Sequence, residues 1–160
     1  MYSVLWDLLI PPSTHCFAWR ALQDRIATKQ NLLRRSVHLV DFRCVLCGGK
    51  EETTSHLLLS CPTTNVVWNS CSKWIRVISV NHFALKEHFE QFYCSWFSKE
   101  DNKLWKGVCV SIIWCIWKHK NGVVFNQAKV DASEIFSLTQ VQSWVWLKNK
   151  VPNVSLSFSN

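Results

Sequence analysis

The chain has 160 residues, 48% hydrophobic and 18% charged, with a formal net charge of +7. That length suits one domain of ordinary size or a small domain with an appendage, and the apolar content excludes a disordered chain. Four glycines and four prolines are too few for a sandwich or barrel built from many tight turns.

The basic excess is shared by both halves: residues 1–80 carry nine basic and five acidic residues, and 81–160 carry nine and six. Such a balance permits nucleic-acid binding without demonstrating it. Ten Trp and nine Phe offer more aromatic surface than one small core needs. Eight Cys would suit a secreted disulfide scaffold, but Met1-Tyr2-Ser3 has no basic region and no cleavage site follows. Cys71, Cys109 and Cys115 lie among apolar residues at helical spacing, as small buried hydrophobes do. The expectation is an intracellular chain, nuclear or cytoplasmic, with reduced thiols. The most apolar run, Leu104 to Trp117, contains Lys106 and is too short to span a membrane.

In chain order, Val4-Leu5-Trp6 and Leu8-Leu9-Ile10 are apolar, and Pro11-Pro12 breaks the chain. Ser13 or Thr14 can cap a helix predicted from about His15 to Ile26, with Phe17, Ala21, Arg25 and Ala18, Leu22, Ile26 as adjacent rows. Thr28 starts a shorter helix through Asn31-Leu32-Leu33, and Arg34-Arg35 near its end complement the dipole. Between Arg20 and Arg43 stand six basic residues, Arg20, Arg25, Lys29, Arg34, Arg35 and Arg43, and two acidic ones. That composition fits a solvated basic face or a phosphate-facing patch, and the sequence alone does not choose. Val37 to Phe42 is short, apolar and β-branched and is expected to extend into the loop that follows.

Cys44, Cys47, His56 and Cys61 follow in the pattern Cys-x2-Cys-x8-His-x4-Cys. Three thiols and an imidazole suit tetrahedral Zn2+, and four protein ligands leave no open position, so one structural ion is expected. One tight turn places the first two thiolates on the same ion, and Gly48 and Gly49 suit the left-handed backbone such a turn needs. Turn N–H groups can donate to the sulfurs. Glu51-Glu52-Thr53-Thr54 reads as the start of a helical turn with acids at its N-terminus, with Leu57, Leu58 and Leu59 packing behind His56. Pro62 suits the first position of the next helix, making Cys61 its cap and favouring a thiolate there. That helix aligns Val67, Cys71, Trp74, Ile75 and Ile78, so metal site and packing form one cooperative unit.

Residues Ser79 to Ala84 read as a boundary, followed by candidate helices over Leu85 to Phe97 and Asp101 to about Asn121, with Gly122 as a stop. The second is apolar nearly all round, so it is either central in its bundle or paired with another chain. Asp131 or Ser133 opens a last helix through Ile135, Leu138, Val141 and Val145, and the polar residues after Pro152 read as a flexible tail. His82, His88 and Cys94 are poorly spaced for one face and read as independent residues. His15, His38 and His119 lack a nearby paired carboxylate and read as solvated. No carboxylate cluster for two-metal phosphoryl transfer, phosphate loop or nucleophile elbow is present, so no catalytic residue is assigned.

Taken together, Leu5-Trp6, Pro11-Pro12, Phe17-Ala18-Trp19-Arg20, Arg25, Thr28, Asn31-Leu32, Arg35, Cys44-x2-Cys47-Gly48, Glu52, His56-Leu57, Cys61-Pro62 and Trp68 resemble the plant reverse-transcriptase zinc-binding domain. The likeness covers residues 4–75, and Ile113-Trp114-x2-Trp117-Lys118-x2-Asn121 with Phe125-Asn126 resembles the segment that follows that domain. The resemblance implies a zinc-binding fragment of a non-LTR retrotransposon protein without its enzyme, carrying zinc on Cys44, Cys47, His56 and Cys61.

The expected architecture is mainly α. A zinc-stapled domain occupies residues 1–80, a helical extension 81–150 and a tail 151–160. The expected function is a non-catalytic accessory module that binds RNA or DNA through the six basic residues, with no membrane and no small-molecule substrate. Two alternatives stand: a protein partner or self-association through residues 101–121, or a non-functional retroelement remnant.

Overall fold

The computed structural model describes residues 2–80, 82–91 and 98–148. Seven α-helices are described: α1 (Tyr2–Trp6), α2 (Pro12–Leu22), α3 (Lys29–Arg34), α4 (Pro62–Ile75), α5 (Leu85–Glu90), α6 (Lys99–Asn126) and α7 (Ala132–Lys148). A π-helical turn, His56–Ser60, precedes α4. The architecture is mainly α, and no strand forms among the described residues. Val37 to Phe42 is irregular backbone that leads into one antiparallel bridge, Arg43 with Glu51.

Several helix bounds differ from those expected, each for a local reason. Helix α2 starts at Pro12, where a missing N–H costs nothing, and Pro11 rather than Ser13 or Thr14 occupies the cap position. It ends at Leu22 because Asp24 turns left-handed, with φ of 54°. Helix α3 is capped as expected, Thr28 Oγ1 accepting from the Asn31 N–H at 3.3 Å. Helix α4 ends at Ile75, with Arg76 in the left-handed region, so Ile78 lies past the helix and is exposed. Residues 92–97 of the helix expected over Leu85 to Phe97, with Cys94, lie outside the described residues. Helix α6 runs through Gly122. Its cap is Gln127, whose N–H donates to the Gly122 carbonyl.

Helix α6 sits at the centre, packed on α2, α4 and α7. Val108, Val110, Ile112, Ile113 and Ile116 are buried there, so the helix read as apolar all round takes the central place. Cys71, Cys109 and Cys115 are buried unbridged thiols, and burial pushes the Cys71 thiol up to about 12. The core also takes in Leu57, Leu58 and Leu59 behind His56, so it joins the segment around the motif to α6 and α7. No helix of the described residues is long and apolar enough to cross a membrane.

Helix α7 is rotated from its expected register. Ile135 is buried, but Leu138, Val141 and Val145 face outward, while Thr139, Ser143, Trp146 and Leu147 face the core. Thr139 Oγ1 donates to the Ile135 carbonyl at 2.8 Å, and Ser111 Oγ of α6 donates to the Thr139 carbonyl at 3.4 Å. A hydroxyl satisfied by its own helix is buried at small cost, and small side chains let the two helices approach closely.

Candidate metal centre

The loop carrying Cys44 and Cys47 is closed by the Arg43–Glu51 bridge, with Cys44 N–H donating to the Lys50 carbonyl at 2.7 Å and Glu52 N–H to the Phe42 carbonyl at 2.9 Å. Gly48 takes the left-handed turn position, with φ of 66°, and its N–H donates to the Cys44 carbonyl at 2.7 Å. The Gly49 N–H then donates to Cys47 Sγ at 3.5 Å. On the other side, the Thr53 hydroxyl accepts the His56 N–H at 3.0 Å, and the Cys61 N–H donates to the His56 carbonyl at 2.8 Å. Pro62 opens α4 as expected, and Cys61 is its cap.

These elements bring one atom each of Cys44, Cys47, His56 and Cys61 within 4.8 Å of one another. Cys44 and Cys61 sulfurs are 4.0 Å apart, and Cys47 Sγ lies 3.3 Å from His56 Nε2. Tetrahedral zinc with ordinary bond lengths requires about 3.8 Å between two sulfurs and about 3.6 Å between sulfur and nitrogen. The edges fit those of a single tetrahedral zinc site. His56 Nδ1 faces Ser60 Oγ at 3.4 Å, an outer contact that orients the ring with Nε2 toward the sulfurs. Among the described residues, no other group of three or more His, Cys, Asp or Glu side chains converges in this way.

The electrostatics favour thiolate. The Cys44 thiol beside it, aided by the Thr63 and Thr64 N–H groups at the start of α4, lowers Cys61 to about 5 despite burial. Cys44 is pushed far up by the same hydrogen bond and by burial. A zinc ion held here would take these sulfurs as thiolates, so its affinity would depend on pH.

Glu52 does not sit at a helix N-terminus as expected. It is fully buried, accepting the Lys29 N–H at 3.2 Å, the Val45 N–H at 3.4 Å and the Lys120 ammonium at 3.3 Å. Lys120, on α6, is also buried, and its ammonium lies 4.6 Å from the Trp117 ring. This ion pair fastens the metal loop to the central helix. Helical periodicity gives no sign of it; the only hint in the sequence is a lysine at the end of an apolar helix.

The histidines also differ from expectation. His15 is buried against Trp6, ring centroids 5.3 Å apart. His119 is buried, with Nε2 accepting the Asp131 N–H at 3.1 Å. His82 and His88, read as independent, have rings 6.2 Å apart, and His88 packs edge-on to Trp68 at 4.4 Å. His38 is exposed.

Hydrogen bonds link Arg20, Arg25 and Arg35 in one group and Lys29 and Arg43 in another, while Arg34 bonds to Asp24 and Asn31. Arg25 N–H donates to the Arg20 carbonyl at 2.8 Å, and Arg35 Nη2 to the Arg25 carbonyl at 2.8 Å. Lys29 Nζ donates to the Arg43 carbonyl at 2.6 Å, next to Cys44. Arg34 pairs with Asp24 at 2.9 Å and Arg43 with Asp41 at 3.1 Å. Burial alone would raise the Asp24 carboxyl, but Thr54, Asn31 and Arg34 together hold it below its usual range. The Arg43 backbone N–H and side chain lower Asp41.

Residues 1–68 match the family described as zinc-binding in reverse transcriptase. Over 131 residues, 79% of this chain, the sequence is 24% identical to a candidate ribonuclease H protein of Arabidopsis thaliana. The chain spans about a fifth of that relative's length, 20%. No solved structure matches the chain.

Proposed function

We propose that the chain is a nucleic-acid-binding accessory module of a retroelement-derived protein, not itself catalytic, a reading supported by the match of residues 1–68 to the family described as zinc-binding in reverse transcriptase. The observation that carries this reading is the hydrogen-bonded run from Arg20 through Arg35, with Lys29 and Arg43 reaching the metal loop. Zinc would fix the loop, and the Lys29 ammonium at the start of α3 is tied to that loop through the Arg43 carbonyl. Within the stretch from Arg20 to Arg43, Asp24 and Asp41 each offset the patch by one ion pair. The relative named for ribonuclease H is consistent with a nucleic-acid setting.

The test is a salt titration of the zinc-loaded chain against single-stranded RNA and duplex DNA. Four net phosphate contacts predict a loss of affinity of about 50- to 150-fold between 50 and 200 mM salt. Arg20→Ala and Arg25→Ala remove exposed charge without touching the Asp24 or Asp41 pairs. Each should lower the log–log slope by about one unit. A flat salt response, or no binding at 50 mM, rejects the reading.

A further inference from the structure

Helix α7 carries two apolar stripes, and the second has no place in the core. Leu138, Val141 and Val145 are 49%, 53% and 44% exposed. At 3.6 residues per turn, Glu134, Leu138, Val141, Val145 and Lys148 fall within about 80° of one another, diametrically opposite the buried face. The stripe therefore runs acid, three apolar residues, base, over the full length of the helix. Both end charges are exposed. The Glu134 carboxylate lies 4.0 Å from His119 Nδ1, and the Lys148 ammonium lies 4.2 Å from the Trp144 ring.

We propose that this outer stripe of α7 is the contact surface for a second copy of the same chain, laid antiparallel about a two-fold axis at Val141. The pattern is self-complementary only in that direction. Reversal places Glu134 of one copy opposite Lys148 of the other, at both ends at once, with Leu138 against Val145. A parallel pairing would set Glu134 against Glu134 and Lys148 against Lys148, which is repulsive at both ends. A two-fold interface needs the same patch on both copies. The exposed apolar part amounts to about 250 Å² per chain. The whole contact then falls below the about 1,200 Å² of a standard stable interface, so association is weak and concentration-dependent. This surface is separate from the Arg20–Arg43 patch, so the inference stands or falls without the nucleic-acid reading.

The experiment is sedimentation of the zinc-loaded full chain from about 10 μM to about 1 mM. Wild type should rise from the mass of one chain toward that of two. Val141→Glu sets two carboxylates on the axis and should hold the mass at one chain, with unchanged helix content. Glu134→Lys alone and Lys148→Glu alone should each weaken association about tenfold, because each brings like charges together at both ends. The double variant Glu134→Lys with Lys148→Glu should restore wild-type association, an outcome no general loss of structure can produce. A wild-type mass of one chain throughout overturns the proposal, whatever covers the stripe instead. Association that survives Val141→Glu, or that ignores both single charge reversals, overturns it equally.

Discussion

Glu52→Ala is the substitution with the largest expected effect outside the four ligands. Glu52 is fully buried and its oxygens take two backbone N–H groups and the buried Lys120 ammonium. Removing the carboxylate leaves an unpaired buried cation, which costs about 3–5 kcal/mol. The released Lys29 and Val45 N–H groups add to that cost unless water reaches them. With a urea slope of about 2 kcal/mol/M, the midpoint of the zinc-loaded chain should fall by about 1.5–2.5 M. Lys120→Met alone leaves the carboxylate with its two N–H donors and should cost less. The double variant Glu52→Ala with Lys120→Met removes both charges and should cost much less than the sum of the two single changes, so the two are strongly non-additive. Equilibrium unfolding of the four proteins reads this directly. A shift under about 0.5 M for Glu52→Ala, or plain additivity in the cycle, would refute the claim that this pair fastens the metal loop to α6.

Two further outcomes follow from particular side chains. Burial, with His82 adding to it, lowers the His88 imidazole to about 4. The unfolded chain therefore binds more protons between about pH 6.5 and 4, and stability that is complete above pH 6.5 is lost as pH falls through that window, by up to about 3 kcal/mol. Zinc release acts on wild type and His88→Gln alike, so the stability difference between them isolates His88 and should change across the window; parallel curves would contradict the assignment. Gly48 holds φ of 66°, whereas a Cβ at Gly49 meets only Cys47 Sγ at an ordinary 3.9 Å. Gly48→Ala should cost about 1–2 kcal/mol and weaken zinc retention against a chelator, while Gly49→Ala should stay close to wild type.

What was legible in the sequence was local. The four ligands fall between Cys44 and Cys61, and Gly48, Thr28 and Pro62 state their turn and cap roles within a few residues. The six cations lie in one short stretch, so their neighbourhood follows from chain continuity as much as from folding. What was not legible depends on partners distant in sequence. Glu52 meets Lys120 from across the fold, and nothing near Glu52 announces it. Periodicity misplaces the register of α7 because it counts Thr139 and Ser143 as polar. Thr139 bonds back to the Ile135 carbonyl and faces the core, which turns three apolar residues outward. His119 departs from expectation for a related reason: its Nε2 accepts the Asp131 N–H at the turn into α7, which lets the ring be buried. Gly122 has the residue type of a stop, but Gln127 takes the left-handed cap instead.

One ion closing the Cys44, Cys47, His56 and Cys61 cluster would fold the segment around it. Elemental analysis with a chelator-monitored unfolding curve measures both halves of that claim on the same sample. The predicted result is one zinc per chain, lost in Cys47→Ser and His56→Ala, with stripping by chelator unfolding the segment from the Cys44 loop into α4. A purified chain that carries no metal and yet unfolds at the same midpoint with and without chelator would contradict it.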